Sequence, residues 1–174
     1  MTYREQITAA MTNLAKDDRA RFVGYGLKNG RAAGTLAGVQ ETQIVETPVA
    51  ENLMTGIAIG LSLGGLRPVL YFERCDFILN ALDAIVNHLD AARHISRGEF
   101  SPAVILRVVV GNKSKPLFTG RTHTQDFYLA LHRLLDFPVV RLSPDRDILA
   151  VYDTARQAQE RGHSTLILEY KDYL

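Results

Sequence analysis

Cysteine is nearly absent from this sequence, with Cys75 standing alone. One thiol excludes an internal disulfide and a multi-cysteine zinc site, and it suits a reducing compartment. Excess charge is missing too. The 20 Lys and Arg residues nearly balance the 19 Asp and Glu residues, leaving a formal net charge of +1, so neither nucleic acid nor an anionic membrane is expected as a main partner. No uncharged apolar run approaches the ~20 residues of a membrane span. The opening residues MTYREQITAAMTNLAKDD are too polar for a secretory signal, and the expected location is cytoplasmic. GxGxxG, a Walker loop, HExxH and GxSxG are all absent, so dinucleotide, nucleotide, zincin and hydrolase chemistry have no motif behind them. His88, His94, His132 and His163 show no metal-ligand spacing, and no metal site is expected among the chain's own side chains.

What is present reads as one globular domain, since 174 residues with 47% hydrophobic content can bury a sizeable core. Tyr3, Ile7, Met11 and Leu14 recur at helical spacing and predict an amphipathic helix from Thr2 to Lys16. Short apolar runs predict strands at Phe22–Tyr25, Gln43–Glu46, Pro68–Phe72, Ala103–Val110, Pro138–Leu142 and Thr165–Glu169. Between them come a helix from Thr47–Pro48 to Gly65, a long amphipathic helix from Ile78 to Gly98, a helix over Gln125–Leu135, and a last one opened by Ser143–Pro144 and closed near Gly162. The glycine-rich stretch from Lys28 to Gln40 carries too little apolar mass for a core element and reads as a loop. Arg107 interrupts the most strand-like segment and needs a buried partner. This alternation predicts a single three-layer α/β domain, a mainly parallel sheet with helices on both faces.

The chain is organised around ETPVAENLMTGIAIGLSLGG, Glu46 to Gly65. Leu53, Met54, Ile57, Ala58 and Leu61 have the spacing of a buried face, while Gly56, Gly60 and Gly64 line up as a ridge. Each interior glycine costs about 0.8–1 kcal/mol against alanine, so the ridge calls for the close approach of another helix. In parallel sheets, ligands collect at the carboxyl edge. Glu51, Phe77 in ERCDF and His123 in THTQ all fall there. Each also has an ordinary structural explanation: a carboxylate at a helix N-terminus, a core aromatic, a surface histidine.

The pattern Glu51, Gly56-Ile57, Gly60-Leu61 resembles the pyrimidine-binding domain of thiamine diphosphate enzymes. The order of segments is similar to that of the beta subunit of the first, decarboxylating component of 2-oxo acid dehydrogenases, within the transketolase-like family. TYRE at the start, TPVAEN, GLRP, DFILNALDAIVN, ARHISRGEF and the His-Thr-Gln after the fourth strand carry that resemblance over nearly the whole chain. It implies that Glu51 is catalytic and cofactor-binding, hydrogen-bonding a ring nitrogen of the aminopyrimidine and favouring the imino tautomer that activates the thiazolium carbon. Burial against apolar residues would let such an acid hold a proton near neutrality. Phe77 would stack on the pyrimidine, and His123 would face the substrate to bind its carboxylate or handle protons. The glycine ridge would lie at a subunit interface.

Departures from the family pattern shape the expectation further. The Gly-Asp-Gly motif and downstream asparagine of a diphosphate-binding domain are absent, so thiamine diphosphate would be shared with a partner chain that holds its Mg2+. Residues 1–174 then form a pyrimidine-binding domain only, with no C-terminal transketolase-like domain, as a natural short subunit or as a piece cut at a domain boundary. The expected assembly is of the α2β2 type, self-associating through Gly56, Gly60 and Gly64. The expected substrate is a small 2-oxo acid or a ketose, processed by decarboxylation or by two-carbon or acyl transfer. NKSKPLFTGR replaces the glycine-rich segment of the dehydrogenase subunits, and Lys113 and Lys115 there could draw in an anionic substrate or an acidic carrier. The competing reading is a non-catalytic scaffold or regulatory paralogue that keeps the fold and the interface.

Overall fold

The structure, a computed structural model, describes residues 1–174. Its elements run α1 (Tyr3–Leu14), β1 (Ala20–Gly24), the one-turn α2 (Leu27–Gly30), β2 (Ile44–Glu46), α3 (Glu51–Leu63), β3 (Arg67–Phe72), α4 (Ala92–Ile95), β4 (Ile105–Val110), α5 (Tyr128–Leu134), β5 (Val139–Arg141), α6 (Ile148–Glu160) and β6 (Thr165–Tyr170). The strands form one six-stranded sheet in the order β2-β1-β3-β4-β6-β5, every neighbouring pair parallel. Both faces are covered, which is why the central strands read as unbroken apolar runs. β4 is buried at every position. Leu70 at the middle of β3 lies opposite Val23 on one side and Leu106 on the other. No helix is long and apolar enough to cross a membrane.

On one face α1 and α6 pack together. Ile7 and Met11 meet Ile148 and Tyr152 over Phe22, Val69 and Ile105. α1 is opened by a capping box in which the Thr2 hydroxyl accepts from the Glu5 N–H and Glu5 accepts from the Thr2 N–H. This side also buries Arg107 and Glu169, each 1% exposed. Arg107 Nε donates to Glu169 Oε1 at 2.8 Å and Nη2 to Oε2 at 2.9 Å, and Nη2 also reaches the Thr35 hydroxyl at 3.0 Å. The Tyr152 hydroxyl adds a further bond to Glu169. Burial disfavours the Arg107 charge, but its polar neighbours, Glu169 foremost with Tyr152 and Tyr71, together outweigh that and the guanidinium stays protonated. The strand-interrupting arginine thus has the partner its sequence position demands. On the opposite face Met54 and Ala58 of α3 pack with Ile78, Ile85, Leu89 and Leu131.

Several boundaries differ from the sequence expectation, each for an identifiable reason. α3 begins at Glu51 with Ala50 as N-cap, not at Thr47–Pro48. The Thr47 N–H is taken by the Gly24 carbonyl at 3.0 Å, so strand pairing with β1 carries the chain past the expected start. Within α3 Leu53 faces solvent and Thr55 is buried in its place. α6 likewise starts at Ile148, where the Asp147 carboxylate accepts the Ala150 N–H at 3.0 Å, and Ser143–Pro144 forms a turn before it. The long helix expected over Ile78–Gly98 is instead a 3₁₀ segment at Cys75–Ala81, a π segment at Ala84–Asp90 and then α4. The glycine-rich loop does contribute to the core. Ala32, Leu36 and Val39 are buried, as is Leu27 just before it, and Arg31, Ala32 and Ala33 in the left-handed region wind the chain so that irregularly spaced apolar residues face inward.

Candidate functional site

β1 and β3 end at Gly24 and Phe72, and beside those ends the first turn of α3 and the 3₁₀ segment enclose a cleft of about 240 Å3. Tyr25, Met54, Tyr71, Phe72 and Phe77 supply its walls, and Glu51 and Glu73 its carboxylates. This is the carboxyl edge of a parallel sheet, where strands deliver their following loops.

Glu51 is the first residue of α3, where the unpaired N–H groups of a helix start favour a negative charge. Its side chain is buried, 9% exposed, yet sparsely partnered. Asn80 Nδ2 donates to Oε2 at a long 3.4 Å, and no closer donor reaches the carboxylate. An ionised carboxylate offers about four acceptor sites, so Glu51 has capacity left for a donor on a ligand. Met54 and the aromatic walls keep its surroundings apolar.

Phe77, half-buried, lines the same cleft and presents its ring to His123 in an edge-to-face pair, centroids 5.2 Å apart at 87°. His123 touches the site through this ring and is not itself part of the cleft wall. The structure therefore brings Glu51 and Phe77 together directly and attaches His123 to them.

The segment bearing His123 is pinned from several sides. Asp76 Oδ1 accepts the Gln125 side-chain amide at 2.9 Å and its backbone N–H at 3.4 Å, tying the residue before Phe77 to the residue two beyond His123. Asp126 accepts from the Tyr170 hydroxyl at 3.0 Å and from Arg141 at 3.2 Å. Gly111, just past β4, lies so close to the His123 carbonyl that a Cβ there would collide with backbone. Asp76 Oδ2 is buried without a partner.

Sequence reasoning missed Asn80, Asp76, Tyr25, Tyr71 and Glu73. Asp76 and Gln125 flank residues it had singled out, so the signal was adjacency. Tyr71 sits within a continuous apolar run, and nothing local marks it as a cleft residue. Burial pushes its hydroxyl far above the ordinary range. Burial also pushes the Cys75 thiol up to about 11, which makes it an inert core residue.

No three His, Cys, Asp or Glu side chains converge as a metal site. Lys113 and Lys115 lie on an exposed loop whose backbone is held by Asp172 and Asn112, with Phe118 beside them projecting fully into solvent.

No family model matches the sequence. Among curated proteins, the mitochondrial pyruvate dehydrogenase E1 component subunit beta of Saccharomyces cerevisiae is 31% identical over 133 residues, covering 73% of this chain and 36% of the yeast protein. The pyruvate dehydrogenase E1 component subunit beta of Acholeplasma laidlawii is 30% identical over 124 residues, covering 67% of this chain and 38% of that protein. The 2-oxoisovalerate dehydrogenase subunit beta of Bacillus subtilis is 29% identical over 117 residues, covering 64% and 36%. The chain thus spans 36% to 38% of the length of these relatives. Among solved structures, a split gene transketolase described as an inactive beta4 tetramer superposes with a TM-score of 0.72 at 19% identity, covering 97% of this chain and 51% of that one. It shares the fold.

Proposed function

We propose that this chain, a homologue of 2-oxo acid dehydrogenase beta subunits with the transketolase-like pyrimidine-binding fold, is the pyrimidine-binding subunit of a two-chain thiamine diphosphate enzyme. The observation that carries this reading is Glu51: a buried carboxylate with unused acceptor capacity, in an apolar cleft beside Phe77. A planar aminopyrimidine suits that cleft. Its faces would lie against aromatic and thioether side chains, and its ring nitrogen would take a proton from the one buried acid that lacks a close donor, which would then accept the resulting N–H. Thiamine diphosphate, when bound, supplies a nucleophilic carbon and an electron sink for cleaving or forming a bond beside a carbonyl.

The chain's own residues then have separate tasks. Glu51 holds and shares a proton at its Oε atoms with the ring nitrogen. Phe77 orients the ring by stacking. His123, braced against Phe77, binds the substrate's anionic end or moves protons on its side of the site. The largely apolar lining lowers the local dielectric, which strengthens the Glu51 contact. The sequence lacks the Gly-Asp-Gly motif, and in this reading the diphosphate and its Mg2+ fall to a partner that carries it. Substrates in this reading are 2-oxo acids or ketoses, in a cytoplasmic setting.

The α3 surface supports self-association in an α2β2-type assembly. A Cβ added at Gly56 or Gly60 would meet nothing within 4 Å, while Leu53 and Leu63 beside them are 49% and 52% exposed.

The test is reconstitution. The isolated chain should be inactive, and the assembled pair should turn over a 2-oxo acid or ketose with magnesium. Glu51→Gln should lower kcat by roughly 10²-fold or more with folding intact. A pure scaffold would show no magnesium-dependent cofactor binding that responds to Glu51→Gln in calorimetry, and that result would replace the catalytic reading.

A further inference from the structure

His123 sits at the end of a 3₁₀ turn, Gly120–His123, and its Nδ1 lies 3.1 Å from the hydroxyl of Thr122. That hydroxyl is also 3.2 Å from the Thr119 carbonyl oxygen. A hydroxyl has one hydrogen to donate and lone pairs with which to accept. A carbonyl can only accept. Both contacts are satisfied in one way: the Thr122 hydroxyl donates to Thr119 and accepts from His123 Nδ1–H. The opposite arrangement, in which the hydroxyl donates to an unprotonated Nδ1, gives up the Thr119 bond.

We infer that Thr122 is a positioning residue that holds neutral His123 as its Nδ1–H tautomer, leaving Nε2 as the acceptor nitrogen of the ring. Free histidine favours the other tautomer, with its proton on Nε2, so Thr122 reverses the intrinsic preference. The backbone restraints described above make this feasible. Gly111 seats the His123 carbonyl and the Asp76–Gln125 bond fixes the chain just beyond it, so the ring is presented to Thr122 from a defined position. The Phe77 edge-to-face contact limits its rotation. For the catalytic consequence the inference rests on the function proposed above: proton transfer by His123 would then occur at Nε2, not at Nδ1.

The tautomer can be read on the isolated full-length chain, without cofactor or partner. Histidine is labelled with 15N, the His123 ring is assigned by its disappearance in His123→Asn, and two-bond proton–nitrogen correlations are recorded at a pH where the ring is neutral. The expected pattern is a pyrrole-type Nδ1 and a pyridine-type Nε2. Thr122→Val and Thr122→Ala should lower the ratio of Nδ1–H to Nε2–H by roughly 3- to 10-fold, the effect of one hydrogen bond, while Thr122→Ser should preserve it. Thr122 is on the surface, so circular dichroism should be the same for all three variants. A wild-type ring with its proton mainly on Nε2, or an unchanged pattern in Thr122→Val, would overturn the inference and leave the proposed function standing. In the reconstituted enzyme, Thr122→Val should lower kcat with little change in KM, and Thr122→Ser should restore it. A switched tautomer with unchanged kcat would overturn the catalytic consequence. An assembly that is inert with every variant would count against the function and not against the tautomer.

Discussion

Two buried glutamates in this protein lead opposite lives. Glu169, 1% exposed, is saturated: Arg107 grips both of its oxygens and the Tyr152 hydroxyl adds a third bond. Its neighbour Tyr152 is pushed well above its usual range, by burial first and by the Glu169 charge second, so the hydroxyl remains a donor. Glu51, 9% exposed, has one long bond to Asn80. A buried carboxylate is tolerated when its lone pairs are filled. Where they are filled by the protein the group is structural. Where they are left open beside an apolar cleft, the group has room for a further donor.

Breaking the saturated member should have the largest effect. Glu169→Ala leaves Arg107 charged in the core without a counter-charge, and a loss of about 3–5 kcal/mol is expected in urea unfolding. Replacing both partners with methionine should recover most of it, and failure to recover would mean that the pair has a role beyond mutual compensation. Glu51→Gln should behave in the opposite sense, with unfolding free energy changed by less than about 1 kcal/mol while, on the function proposed above, turnover of the reconstituted pair collapses. Equal stability losses at the two sites would erase the contrast. A smaller effect is expected at Asp76→Ala, roughly 1–3 kcal/mol of local stability from an unsatisfied Gln125 amide. Its more telling readout is the His123 ring-proton shift, which should lose the ring-current contribution of Phe77 as the segment drifts. The smallest effect carries the other sign. Gly60→Ala, on an open helix face, should stabilise the isolated chain by up to about 1 kcal/mol while weakening self-association in sedimentation.

The sheet was largely legible from sequence, because each buried parallel strand announces itself as a short apolar run between polar breaks. Arg107 was legible as an anomaly, and its need for a counter-charge pointed to a partner without naming Glu169, which lies 62 residues away. Two helix starts were misread for different reasons: after Thr47–Pro48 the chain is still held to β1 by the Thr47 N–H to Gly24 carbonyl bond, and after Ser143–Pro144 the Asp147 carboxylate provides the cap that α6 uses. Apolar spacing in Ile78–Gly98 was right about which side is buried and silent about winding, since 3₁₀, π and α turns all place residues three to five apart on one side. At the site, Glu51, Phe77 and His123 were singled out by pattern. Asn80 and Asp76 were not, because their importance is a distance across the fold and not a spacing along the chain.

The open stripe on α3 has a practical corollary. Gly56 and Gly60 sit where alanine would make the lone helix sturdier, and nothing within the chain obstructs it. Selection for thermal tolerance of the separate polypeptide would therefore be expected to fill these positions early, and, on the self-association proposed above, the variants so obtained would melt higher on the bench while failing to co-assemble. A screen that reports only on soluble yield would reward the wrong substitutions.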